Sequence, residues 1–319
     1  MVQNEQNCWD QYWEQGAITS FGSAIDNYQG ALLNIWQAVA NSFVGEVNVL
    51  DIGTGNGAIP LLLDKYSAKS ATGAIIGVDK ANVKDCIVGN TLDISLRSGI
   101  DVAALPYDKE HFHYVVSQFG FEYGLSPLAI DEVLRVMKTN AKLVLVMHNK
   151  DSFIVQQNSQ ELKFLTSPQL ERVTQELKHF VEQMGYLASA EAIRQAQRDE
   201  RLEGLRKAFF AELKMLWELD NESYKNAGIS NAVDYLFKTG ISWTVAQKLD
   251  FIDQVFGELN AHKQRLAQLV NAALDEQEVL ALLEQLCLGG CNIELIKVVK
   301  ESDGRVLAWQ LVALKYAAS

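Results

Sequence analysis

In this 319-residue chain the stretch best suited to hold a ligand is Asp51-Ile52-Gly53-Thr54-Gly55-Asn56-Gly57, an acid followed by three alternating glycines. It follows Val47-Asn48-Val49-Leu50 and precedes Ala58-Ile59-Pro60-Leu61, so the order reads strand, tight turn, helix. Glycine permits the sharp bend and lets a ligand lie against bare main chain at a helix N-terminus. Two ligand classes use such a turn. Gly53, Gly55 and Ala58 satisfy the loose dinucleotide spacing, and the acid Asp79 follows a second strand. Asp51 argues the other way, because a carboxylate beside the turn opposes a pyrophosphate and suits a cation.

Ligands of open α/β sheets lie outside the carboxyl ends of the strands. That rule nominates Ser117, Gln118, Phe119, Glu122 and Tyr123 after one strand, and His148 and Asn149 after the next. His148 directly follows an apolar run and carries the side chain whose ordinary titration lies nearest neutrality, so it is a candidate base or substrate contact, against a histidine bonded to loop backbone. Glu122 reads as a holder of a cationic acceptor or as a solvated loop acid, and Phe119 and Tyr123 as rings that stack on substrate or wall the site. The five histidines show no grouping at metal-ligand spacing, and no metal is expected. The four cysteines, Cys8, Cys86, Cys287 and Cys291, read as reduced thiols.

Asp51 to Gly57 resembles the first motif of the class I S-adenosylmethionine-dependent methyltransferases. Ile75-Ile76-Gly77-Val78-Asp79 is similar to the second, whose acid grips two ribose hydroxyls. Ile100-Asp101-Val102-Ala103-Ala104-Leu105-Pro106-Tyr107 is similar to the third, where the acid accepts from the adenine amino group and the Val102 amide meets the ring. Phe112-His113-Tyr114-Val115-Val116-Ser117-Gln118-Phe119-Gly120 is similar to the fourth. The resemblance implies S-adenosyl-L-methionine as cofactor, S-adenosyl-L-homocysteine as product, and a cofactor set of Asp51, Gly53, Thr54, Gly55, Asn56, Gly57, Asp79, Lys80, Asp101, Val102, Ser117, Gln118 and Phe119. The candidate catalytic set is His148, Glu122 and Tyr123. Family members commonly carry an acid where this chain has His113, at the strand end far from the cofactor, so a structural contact is expected to change there. Only about 14 residues separate Asp79 from the next strand near Ile94–Arg97, so a short helix or none is expected, with a more open adenine side.

The elements that must hold these residues follow from periodicity. The expected fold is α/β, a doubly wound, mostly parallel seven-stranded sheet with a terminal antiparallel hairpin and a large all-helical insertion before it. Residues 1–44 form an N-terminal helical cap segment that packs its rings on the body or, as the resemblance implies, folds over the cofactor with Tyr12, Phe21 or Tyr28 helping to close the site. The cofactor core takes 45–151 plus 276–319, and the insertion takes 152–275. A helix over Asp26–Phe43 leads into the first strand. Pro127 opens an amphipathic helix through Ile130, Val133, Leu134 and Met137, and Lys142–Met147 is a strand apolar on both faces. In the insertion, Ser167-Pro168 starts a helix that Gly185 ends, and Leu249, Ile252, Phe256, Leu259, Leu266 and Val270 form a later seam. These stripes read first as the insertion's own core, with a cap over the pocket, a homodimer or a protein partner through 152–275 as the roles open to the insertion.

A formal net charge of −12 gives no overall attraction for nucleic acid or anionic lipid. No run reaches the roughly 18 apolar residues of a membrane span, and a cytoplasmic enzyme is expected. The reading is methyl transfer to an O or N atom of a small-molecule acceptor. A non-catalytic cofactor-binding scaffold and an NAD-dependent oxidoreductase are the alternatives.

Overall fold

A computed structural model describes residues 8–19 and 29–316. The expected roles of Phe21 and Tyr28 lie outside these residues. Element order is α1 (Cys8–Glu14), α2 (Gly30–Asn41), β1 (Glu46–Ile52), α3 (Ala58–Tyr66), β2 (Thr72–Val78), β3 (Asp93–Arg97), β4 (Phe112–Gln118), α4 (Pro127–Val136) and β5 (Met137–His148). It continues with α5 (Phe153–Leu165), α6 (Pro168–Met184), α7 (Ala190–Arg198), α8 (Glu200–Leu219), α9 (Asn221–Asn226), α10 (Ile229–Lys238) and α11 (Val245–Ala272). The chain ends with α12 (Glu276–Leu288), β6 (Cys291–Lys300) and β7 (Val306–Lys315).

The strands form one sheet in the order β3-β2-β1-β4-β5-β7-β6. The first five are parallel, and β7 joins β5 antiparallel and carries β6 as a hairpin. Side chains of the central strands alternate between two cores, as a parallel sheet covered on both faces requires. Leu50, Ile52, Leu143 and Leu145 pack with Ile130 and Val133 of α4 and with Val279 and Leu282 of α12. Val47, Val49, Val144 and Val146 pack with Ile35 and Trp36 of α2 and with Ile59 and Leu62 of α3. The antiparallel end is the terminal hairpin expected from the sequence.

One expectation changes in detail. Met137 is not on the α4 face: helical backbone ends at Val136, and Met137, fully buried, begins β5 opposite Phe112. No helix forms between β2 and β3. The connection is held instead by side chains, Asp64 of α3 accepting from the amides of Asn90, Thr91 and Leu92, Asn56 from Lys84, and Asp10 from Asn82. Ile87 of this connection packs on the turn, lying where a side chain on Gly57 would begin. His113 does make a structural contact, its Nδ1 accepting from the Asn48 amide at 2.9 Å.

The chain divides into two compact units, one of residues up to Gln156 and from Gln268 onward, the other Gln157–Ala267. The second is wholly helical and has its own core, in which Val173, Leu177, Phe209, Leu216, Val233, Leu236 and Ile252 are buried. Ser167 caps α6 with Pro168 in its first turn, and Gly185 ends it at φ +68°. Within the first unit, the segments that leave for and return from these helices are stitched together. Leu274 donates to the His148 carbonyl at 2.9 Å and its own carbonyl accepts from Lys150, while Asp275 caps α12 with a capping box. Among the described residues no helix is long and apolar enough to cross a membrane.

Candidate cofactor and catalytic site

Asp51 stands near the end of the central strand, paired with Gly77 on one side and Val116 on the other. It is 1% exposed, and neither carboxylate oxygen has a hydrogen-bond partner. Burial pushes its carboxyl up to about 8, opposed by the Thr54 hydroxyl, which lies near it without hydrogen-bond geometry, and helped by the nearby Asp79 charge. Thr54 itself is buried against Gly77, where a side chain would meet its Oγ1 at 2.4 Å. An unpartnered buried acid is costly to keep, and such groups concentrate at sites built for a ligand.

The turn after it is shaped by close packing as much as by backbone angle. A Cβ on Gly53 would lie 2.6 Å from the Gly120 Cα, so the end of β1 and the end of β4 touch main chain to main chain. A Cβ on Gly55 would strike the Trp13 ring at 2.6 Å. The indole of α1 thus occupies the bare backbone that the sequence leaves open for a ligand. Asn56 fixes that segment, its Nδ2 donating to the carbonyls of Trp13 (3.0 Å) and Ala17 (2.7 Å). Asp79 braces the turn from the end of β2, accepting from the amides of Gly55 (2.8 Å) and Ala81 (2.9 Å). Burial, with the Asp10 charge adding, raises its carboxyl above the usual range.

Beyond β3, Asp101 caps a short helical turn at Val102–Ala104 and forms an ion pair with Lys80 at 2.9 Å. The Ala103 amide and Lys80 hold its carboxyl below the usual range. Ser117 is fully buried and its hydroxyl is engaged internally, donating to the Ile52 carbonyl at 2.7 Å and accepting from the Phe121 amide at 2.9 Å. Gln118 accepts from the Trp36 indole at 2.6 Å. These two side chains fix the end of β4 against its neighbours.

At the ends of β4 and β5 the three candidate catalytic residues come together. Glu122 Oε1 accepts from the backbone N–H of His148 at 2.9 Å and shares a hydrogen bond with its Nδ1 at 2.8 Å. Both side chains are buried, and Glu122 Oε2 has no partner. Phe119 stacks on the imidazole at 4.2 Å between centroids, and Tyr123 presents its edge at 6.1 Å. Phe119 holds this position at φ +54°, a left-handed backbone that costs a bulky residue about 1–3 kcal/mol. Burial and the Glu122 charge raise the Tyr123 phenol well above its ordinary value, so it stays protonated at neutral pH. Trp9 of α1 meets Tyr123 edge to face at 5.8 Å.

The sequence points to Asp51, the glycine turn, Asp79, Asp101, the end of β4, Glu122, Tyr123 and His148, but not to the Glu122–His148 bond, the Trp13–Gly55 contact or the anchoring role of Asn56. The one signal the sequence offers is the aromatic cluster Trp9, Tyr12 and Trp13, whose spacing does not say that Trp13 meets Gly55 and Trp9 meets Tyr123.

No protein-family model matches the chain, and no curated protein matches it. Among solved structures it is similar to an S-adenosylmethionine-dependent methyltransferase from Mesorhizobium loti, at 12% identity over 92% of this chain and 100% of that one, TM-score 0.44. It is similar to phosphoethanolamine N-methyltransferase 1 of Haemonchus contortus, in complex with phosphoethanolamine and S-adenosylhomocysteine, at 17% identity over 44% of this chain and 31% of that one, TM-score 0.33. A third similarity is to the Haloferax volcanii complex of the Trm112 methyltransferase activator with a methyltransferase, at 18% identity, TM-score 0.29. It covers 39% of this chain, which spans 62% of the chain it matches there. The sheet itself, five parallel strands closed by an antiparallel pair and flanked by helices, is a doubly wound Rossmann-like arrangement, consistent with the methyltransferase fold that the sequence resembles.

Proposed function

We propose that the protein is an S-adenosylmethionine-dependent methyltransferase acting on a small-molecule acceptor. The observation that carries this reading is Asp51, whose two buried oxygens have no partner beside a glycine turn. A cation completes that site, and a pyrophosphate is repelled by it. The cofactor brings both an ammonium group for Asp51 and a sulfonium-borne methyl group. Asp79 has lone pairs left on each oxygen for ribose hydroxyls, and Asp101 with the Val102 amide borders the adenine position. Thr54, Asn56 and Gly57 shape the turn, while Ser117, Gln118 and Phe119 hold the end of β4. Methyl transfer needs the acceptor held in line at close approach, which positioning alone accelerates strongly. His148 and Tyr123 form the acceptor wall, with Glu122 bonded to His148 behind it. The chain keeps Asp51, the three glycines and Asp79 together, which a scaffold released from cofactor binding has no reason to do.

Calorimetric titration separates the readings. Micromolar binding of S-adenosylhomocysteine and none of NAD is expected, and the reverse pattern overturns the proposal. Asp79→Ala is expected to weaken S-adenosylhomocysteine by about 1–3 kcal/mol through lost charge-assisted hydrogen bonds. An unchanged affinity would place the ribose contact elsewhere.

A further inference from the structure

Resting on the methyltransferase reading, we propose that His148 is a general base held by Glu122, and that the acceptor is therefore a neutral molecule whose attacking atom is a hydroxyl oxygen. Glu122 Oε1 already accepts the His148 backbone N–H, so it acts as an acceptor toward the ring as well. The shared proton thus sits on Nδ1, and Nε2 presents a lone pair. Nε2 makes no hydrogen bond among the described residues. The stacked Phe119 and the edge of Tyr123 fix the plane of the ring, so this lone pair has one direction. Keeping Phe119 in a left-handed backbone conformation to make that stack marks the arrangement as built.

The same geometry selects the acceptor. An ammonium would call for a carboxylate face, and Glu122 is closed off behind the imidazole with no exposed side-chain surface. What the wall offers is one acceptor atom between two rings, which suits a single O–H donor. In the reaction the hydroxyl proton passes to Nε2, an oxygen electron pair forms the new O–CH3 bond, and the C–S electron pair returns to sulfur, leaving a neutral thioether. The resulting imidazolium is stabilised by the Glu122 carboxylate at Nδ1. Glu122 is a positioning residue here, since it acts only through His148.

The test reads the tautomer directly. In the full chain labelled with 15N-histidine, with His148 signals assigned by loss in His148→Gln, the neutral ring is expected as the Nδ1–H form with an unprotonated Nε2. In Glu122→Gln that preference is expected to collapse into a mixture or reverse. An Nε2–H ring in the wild type, or a Glu122→Gln spectrum unchanged from it, overturns the dyad. Should Glu122→Gln fail to fold, the wild-type tautomer decides alone. Titrating the same wild-type sample with S-adenosylhomocysteine separates the failures: binding with the wrong tautomer sinks the dyad only, whereas no binding sinks the reading beneath it.

Discussion

Asp51→Asn is expected to stabilise the ligand-free protein and to cripple its binding of S-adenosylhomocysteine. The acid is buried without a partner, and its carboxyl is raised from 3.8 to about 8. The unfolded chain gives up this proton near pH 4, and the folded chain keeps it until about pH 8. Its contribution to stability is therefore complete below pH 4, declines as pH rises through the folded value, and is flat above it. Asparagine removes the titration but leaves a buried polar group, so a gain of about 1–3 kcal/mol at pH 8 is expected, shrinking toward acid pH. Urea unfolding of both proteins at pH 5 and pH 8 measures the difference, and an advantage that does not grow with pH would mean that Asp51 is partnered in solution. Binding runs the opposite way. A cation must meet the ionised acid, so wild-type affinity rises by up to about tenfold per pH unit until pH 8, with protons released on binding. The variant is expected to bind about 2–4 kcal/mol more weakly and without that slope. Calorimetry in two buffers of different ionisation heat detects the protons, and a wild-type affinity flat across this range would remove Asp51 from the cation's contacts.

This opposition between stability and binding explains why the site's outline was legible in the sequence. Asp51, the glycines and Asp79 lie in short local patterns, strand then turn then helix, and their spacing specifies the local backbone without reference to the rest of the chain. The same holds for Ser167-Pro168 and Gly185 at the two ends of α6. The contacts that finish the site join residues far apart in sequence. Asn56 reaches back 43 residues to Trp13, and Glu122 reaches 26 forward to His148. No periodicity encodes such meetings. In the sequence Gly55 reads as clearance for a ligand, yet the tertiary structure brings an indole to it, and Gly53 is needed because Gly120 touches it. Both readings require glycine, so residue type alone could not separate them. Met137 fits the apolar helical spacing of α4 equally well, and only the strand pairing with Phe112 assigns it to β5.

The connection from β2 to β3 was legible as too short for an ordinary helix, but not what would replace one. A helix satisfies its own amides, whereas this segment depends on distant acceptors, and Asp64 is the most heavily used of them. Asp64 is 2% exposed, its Oδ1 accepts from Thr91 and Leu92 at 2.8 Å each, and its Oδ2 accepts from Asn90 at 2.7 Å. Asp64→Ala strands three amides, of which only that of the exposed Asn90 is readily hydrated, so a loss of about 2–4 kcal/mol in urea unfolding is expected. Asp64→Asn can keep both bonds to an Oδ1 and forfeits the third, and about half that loss is expected. The damage should reach the cofactor turn, because the segment carries Ile87 onto Gly57 and ends at the strand that packs beside it. S-adenosylhomocysteine affinity is accordingly expected to fall in Asp64→Ala and to recover partly in Asp64→Asn, although neither residue lies among the proposed cofactor contacts. Equal stability of the alanine and asparagine variants would show that the amides find water instead, and that the connection is held by its apolar contacts alone.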